Sequence, residues 1–304
     1  MFHRFFQFSI VGLLAVVVIF SCPATAAAKP KVAVVMSRSI PPYRKALEGF
    51  KKRFESEVTI FEVHNKKDAA KVAKTIMAGK PDIVLAIGSS ALNLVSKHIT
   101  KIPVVFTMVL TPPKLPSNIA GVSMMLPAKT HLEGLKLVAP DVKSVGLVYN
   151  PKHSAKRIQE FKTAAKSLGL QIVALAANSQ KEAFSSIRLL AGRVDSLWML
   201  MDKDVVANFN LMLSLSVKEK IPLATFSYRY VEMGALLALS PKFDSLGQQA
   251  GEIAVKIIAG TAPSSLGVIS PKSHYYSYNT KTGLRIELGV PSAILKKEHR
   301  LYKK

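Results

Sequence analysis

Two stretches of the chain are built on one repeated pattern. Residues 31–82 and 144–195 each run a short apolar strand, an amphipathic helix, a second strand and a second helix, then an aspartate that opens a third strand. A shift of 113 positions carries Val32 onto Val145 and Asp82 onto Asp195, so the register survives across the whole unit. Alternating strands and helices build a parallel sheet covered on both faces. Written twice, the unit makes either two lobes or one widened doubly wound sheet. Two lobes leave a crevice. Ligands of open α/β sheets sit outside the carboxyl ends of the strands, so facing strand ends would hold a ligand between them.

The amino terminus reads as a targeting segment rather than part of the fold. His3 and Arg4 precede an unbroken apolar run over 10–20, and small residues follow at 24–28, the layout of a secretory signal. That run, at about 1.5 Å per residue, is too short to cross a hydrocarbon core of about 30 Å. Two processing routes stay open. Cleavage after Ala24-Thr25-Ala26 or Ala26-Ala27-Ala28 removes a signal peptide of about 1–28 and leaves a soluble periplasmic chain, whereas Ile19-Phe20-Ser21-Cys22 resembles a lipobox, with a lipoprotein signal over 1–21 and lipidation of Cys22. Cys22 is the only cysteine. The mature domain is therefore expected to lack disulfides, metal thiolates and a nucleophilic thiol.

The formal charge is +23, and +22 without residues 1–28, which carry one Arg and no acid. Most lysines, such as Lys51, Lys52, Lys71, Lys74, Lys162 and Lys166, fall on predicted helices whose apolar positions face inward, which makes them a solvated surface. The tail, with Lys296, Lys297, Lys303 and Lys304, is the best contributor to any attraction toward an anionic membrane surface.

Each copy ends its strands on polar residues, and the duplication pairs these ends: Ser37 with Asn150, and Ser89 with Asp202. Ser89 and Ser90 open a helix, where side chains and free N–H groups suit an anion or simply cap the helix. Asp202 ends the apolar strand Leu197-Trp198-Met199-Leu200-Met201, and is read as a partner for a ligand ammonium, with helix capping as the alternative. Phe106, Met108, Phe226, Tyr228 and Tyr230 offer apolar walls. Enzyme signatures are missing: the first turn, Ser37-Arg38-Ser39-Ile40-Pro41, lacks a dinucleotide fingerprint, no phosphate-loop lysine follows a glycine-rich turn, and Gly88-Ser89-Ser90-Ala91-Leu92 lacks the spacing of a hydrolase elbow. The histidines at 64, 98, 131, 153, 274 and 299 are scattered and read as surface imidazoles rather than metal ligands.

Several separated motifs occur together: Ile102-Pro103-Val104-Val105-Phe106, Asn118-Ile119-Ala120-Gly121-Val122, Ala139-Pro140-Asp141-Val142-Lys143, Val145-Gly146-Leu147-Val148-Tyr149-Asn150-Pro151 and Val231-Glu232-Met233-Gly234-Ala235. In order and spacing they resemble bacterial ABC transporter substrate-binding proteins of the tryptophan/tyrosine type. The resemblance implies an α/β type I periplasmic-binding fold: two Rossmann-like lobes with parallel sheets, joined by a three-strand hinge that closes on a ligand. Residues 29–122 and 240–262 would form the first lobe, and 123–239 with 263–304 the second. The segments 121–125 and 235–239 are read as hinge crossings. Carried over position by position, the pocket-forming loops correspond to Ser37, Ser89, Ser90, Ala91, Phe106, Thr107, Met108, Asn150, Asp202, Ser227 and Tyr228. Where family members commonly read Val-Thr-Asp-Pro, this chain has Val109-Leu110-Thr111-Pro112. Without that acid, either Asp202 alone holds a cationic group or the ligand is not an amino acid.

The expected function is an extracytoplasmic capture protein, a monomer without cofactor, whose partners are a small-molecule ligand and the permease and ATPase of an importer, with no nucleic acid. A ligand-sensing module feeding a membrane receptor or kinase, and a secreted enzyme on the same fold, are the alternatives.

Overall fold

The computed structural model describes residues 28–63, 68–297 and 299–303. The expected leader, its Cys22 and His64 lie outside them. The first sheet grows from β1 (Lys31–Met36), followed by α1 (Pro41–Arg53), β2 (Glu57–Glu62), α2 (Ala69–Ala78), β3 (Ile83–Ile87), α3 (Ser89–His98), β4 (Val104–Val109) and β5 (Ile119–Ser123). β1, β3 and β4 are near-continuous apolar runs, rich in Val and broken only by Lys31 and Thr107, without polar alternation, as strands covered on both faces must be. The chain then crosses to a second sheet through α4 (Ala128–Val138), β6 (Ser144–Tyr149), α5 (Pro151–Lys166), β7 (Gln171–Ala176), α6 (Gln180–Leu189), β8 (Leu197–Trp198), α7 (Lys203–Val206), α8 (Phe209–Lys218), β9 (Leu223–Thr225), α9 (Tyr228–Glu232) and β10 (Leu237–Pro241). It returns with α10 (Phe243–Ile258), α11 (Pro263–Leu266) and β11 (Val268–Ile269), and ends in the second lobe with β12 (His274–Asn279), α12 (Thr280–Arg285), α13 (Ser292–Leu295) and β13 (His299–Tyr302).

The strand orders are β11-β5-β4-β3-β1-β2 and β13-β12-β10-β9-β8-β6-β7. All pairs are parallel except β10 with β12. Each sheet buries apolar residues on both faces, so each lobe has its own core. The repeated aspartates do the same work in both. Asp82 accepts a hydrogen bond from the Lys31 N–H (2.7 Å), and Asp195 accepts from the N–H groups of Lys143 and Ser144 (3.0 Å each). A carboxylate at the entry to the third strand thus satisfies backbone donors at the start of the first.

On one face of the first sheet, α1 lies against α10 at glycine-limited distance. A Cβ on Gly247 would fall on the Ala46 carbonyl, and one on Gly49 on the Asp244 carbonyl. Leu246, Ala250 and Ile253 of α10 meet Phe50 and Leu47 of α1 in the same core.

The crossings lie slightly later than the sequence suggests. Residues 119–123 and 237–241 are regular members of the two sheets, so the linkers are 124–127, Lys242 and 270–273 rather than 121–125 and 235–239. Val268 and Ile269 pair with Gly121 and Val122 of β5, which keeps the chain in the first lobe beyond the expected return at 263. The Lys242 N–H donates to the Ser273 carbonyl (3.2 Å), joining the second and third linkers.

Candidate functional site

In both lobes the end of the first strand is bonded to the start of the helix after the third strand, with reversed polarity. In the first lobe the Ser37 Oγ accepts from the Ala91 N–H of α3 (2.9 Å). In the second the Asn150 N–H donates to Asp202 Oδ2 (2.8 Å). Gly88, at φ 93°, makes the first arrangement possible, since a Cβ there would lie 2.7 Å from both Ser37 Oγ and Tyr43 Oη. Ser89 and Ser90 stand exposed beside this junction, at the amino end of α3.

Asp202 is spoken for within its own lobe. It is 3% exposed; Oδ2 also accepts from Ser154 Oγ (3.1 Å), and Oδ1 accepts from the Asp204 N–H (3.3 Å) as the cap of α7. The packing reason missing from the sequence is therefore a set of protein donors. Asn150 caps α5 through the Lys152 N–H (3.0 Å), and its amide donates to Asp204 Oδ2 (3.1 Å). Phe106, Thr107 and Met108 are buried inside the first lobe, with Phe106 and Met108 in the cores on opposite faces of the sheet. Met108 takes φ 59°, where β4 bulges against β5. Ser227 caps α9 through the Arg229 N–H (3.4 Å), and the Tyr228 ring lies 6.0 Å from the Arg300 guanidinium carbon.

A cavity of about 490 Å³ opens where the lobes meet. Leu110 and Thr111 line it from the first lobe, Met124–Leu126 from the first linker, and the amino end of α5 with the ends of β8, β9 and β10 from the second lobe. None of the eleven residues expected at the ligand is among its lining; the nearest in sequence are Asp202, beside Met201, and Ser227, beside Phe226. The cavity also brings in Arg157, His131 and Trp198, which the sequence reading did not nominate. Helical spacing carried a signal for two of them. His131 is four residues before the buried Leu135, and Arg157 four before the buried Phe161, so each shares a turn face with core.

Arg157 reaches across the floor of this cavity. Its guanidinium donates to the Leu126 carbonyl in the first linker (2.9 Å) and to Glu160 Oε2 (2.8 Å), and lies 5.0 Å from the centre of the Phe161 ring. Burial lowers its pKa, opposed by Glu160. His131 is no surface imidazole: it is 5% exposed, its ring centre 4.6 Å from that of Trp198, and its Nδ1 has no protein partner. Burial first, then the charges of Arg157 and His274, hold its pKa well below the ordinary histidine value.

This predicts an acid-sensitive second lobe. The unfolded chain takes up the His131 proton as pH falls below about 6.5 while the folded lobe resists it, so stability is full above that pH and is lost toward lower pH, by up to about 1.4 kcal/mol per pH unit. Urea titrations followed by Trp198 fluorescence at pH 7.5 and 5.0 should show the loss, and His131→Phe should flatten it. His274, also lowered by burial and by Lys242 and Lys297, keeps part of the slope.

Among the described residues no group of three or more His, Cys, Asp or Glu is placed to hold a metal ion, and no helix is long and apolar enough to cross a membrane. Comparison with known proteins gives this two-lobed site its context. A tyrosine-binding protein of Clostridioides difficile is 24% identical over 208 residues, which are 65% of this chain and 60% of that protein, so the chain spans less than two thirds of this relative. A ligand-free, open substrate binding protein with adhesive properties from Clostridium difficile superposes with a TM-score of 0.73 at 22% identity, covering 90% of this chain and 100% of the other. A Streptococcus pneumoniae domain in complex with L-Trp superposes at 0.57, with 22% identity over 89% of this chain and 100% of the other. These likenesses establish the type I periplasmic-binding fold. The description ABC transporter substrate binding protein, which names binding rather than catalysis, belongs to the family that matches residues 48–301. With that match running through both lobes and all three linkers, the chain belongs to the ABC transporter substrate binding protein family.

Proposed function

We propose that this chain captures a small solute outside the cytoplasm, between its two lobes, and delivers it to the permease and ATPase of an importer. The observation that carries this reading is the cavity walled from both sides: Leu110 and Thr111 belong to one lobe, Trp198 and Phe226 to the other, and the linker residues Met124–Leu126 to neither sheet. Its size suits a small molecule. A solute touching both walls favours the state in which both touch it at once, so binding shifts the population toward closure. On closing, the exposed Ser89 and Ser90 and the amino end of α3 would meet the solute from the first lobe, which is the role the duplication assigns them. The secretion signal read in the sequence fits an extracytoplasmic site of action.

Mass spectrometry of the small molecules released on unfolding should identify the solute. Returned to stripped protein at about a hundred times its Kd, it should raise stability by about 2.7 kcal/mol. Small-angle scattering should show a smaller radius of gyration with solute than without. Binding without compaction would sink the closure mechanism and leave capture standing.

A further inference from the structure

The walls of the cavity carry an uneven choice of polar groups. Lys152, His153, Arg157 and His131 line it, and no acidic residue does among the described residues. The two carboxylates nearest in sequence to the second-lobe wall are occupied. Asp202 accepts from Asn150, Ser154 and the Asp204 backbone, and Asp204 accepts from the Asn150 amide. Thr111, exposed on the first-lobe wall, brings a hydroxyl where an acid could stand. Apart from Ser154, whose hydroxyl donates to Asp202, the remaining surface is apolar and soft, with Trp198, Phe226 and the methionines at 124, 125, 199 and 201.

Two groups in this wall differ in what they can offer a solute. The His131 Nδ1 has no protein partner, but it is sealed from solvent, which closes it to a solute in the cavity. The Arg157 side chain is 14% exposed, and its contacts with Leu126 and Glu160 use two of a guanidinium's five N–H donors. Glu160 neutralises part of that charge, and Lys152, exposed at the amino end of α5, adds another cation. Donors without an opposing carboxylate recognise an anion, and an ammonium entering here would lose water without gaining a partner.

We infer that the solute is an anion with an apolar, aromatic-sized body and no ammonium group, such as an aryl-alkyl carboxylate, its ring against Trp198 and its carboxylate toward Arg157 and Lys152. The inference rests on the capture reading and narrows its substrate class. Arg157 would donate to the carboxylate while holding the first linker through Leu126.

Calorimetric titration of the stripped protein with matched probes tests it: 3-phenylpropionate and 3-(indol-3-yl)propionate, against phenylalanine and tryptophan, and against phenethylamine and tryptamine. The acids should bind at least about tenfold more tightly than the amino acids, the amines weakest of all, since one unpaired buried charge costs more than 1.4 kcal/mol. Lys152→Gln, a surface change, should weaken the acids about threefold, in keeping with an exposed charge. Thr111→Asp should weaken the acids and improve the amino acids, narrowing or reversing the preference. Amino acids binding more tightly than their des-amino counterparts to the unmodified protein would overturn the anion assignment and leave the capture reading intact, as would a preference indifferent to Thr111→Asp. Failure of every probe, with the protein folded by circular dichroism, would overturn the anion assignment. Failure also of the copurified-solute assay would remove the capture reading itself.

Discussion

Gly247→Val is expected to destabilise the first lobe by about 3 kcal/mol or more, at or beyond the upper end of the usual cost of overpacking. The obstacle is backbone rather than a yielding side chain: the new Cβ would fall on the Ala46 carbonyl of α1, so the two helices must separate along their contact. Separation also strips Leu246, Ala250 and Ile253 from Phe50 and Leu47, and apolar burial is lost along the seam. The only tryptophan, Trp198, lies in β8 of the other lobe, which makes the measurement specific. Urea unfolding followed by far-ultraviolet circular dichroism should gain an early transition while the Trp198 fluorescence midpoint stays in place. Equal movement of both signals would show that the α1/α10 seam supports both lobes.

Asp202→Asn should do the reverse, lowering the Trp198 transition by about 2–3 kcal/mol, the scale of buried hydrogen bonds to a charged group. The Asp202 Oδ2 atom receives two donors, the Asn150 N–H and the Ser154 hydroxyl, and an amide nitrogen in that place would oppose both. Turning the amide over transfers the conflict to the Asp204 N–H. Because the carboxylate acts on the cavity only through Ser154 and Asn150, solute affinity of the folded variant should change by about threefold or less. A large loss of affinity with an unchanged midpoint would instead place Asp202 on the solute.

The contrast between these residues shows what could be read from the chain alone. The paired lobes were legible because Asp82 and Asp195 keep both register and role, and because the strands carry apolar runs that need cover on two faces. The linkers were not, since Ile119–Ser123 is apolar whichever sheet takes it, and its membership depends on the pairing of Ile119, Ala120 and Gly121 with β4 and of Gly121 and Val122 with β11. Asp202 reads from the sequence as a special position, either pairing a ligand ammonium or capping a helix, and the structure gives it protein donors. A carboxylate at the end of an apolar strand looks the same in sequence whether it meets a ligand or the N–H of a residue 52 positions earlier. His131 and Arg157 were missed for a related reason: a polar residue on a helix face reads as solvent-facing until tertiary packing closes over it.

Two of the three chain segments between the lobes are stitched together by the peptide contact from Lys242 to Ser273. Sliding one past the other would break a backbone hydrogen bond, at a net cost of about 0.5–1.5 kcal/mol, whereas twisting both in concert preserves it. For the closure proposed above, this contact favours rotation about a shared pivot over translation, and a cross-link placed at that pivot should leave the solute-induced compaction intact.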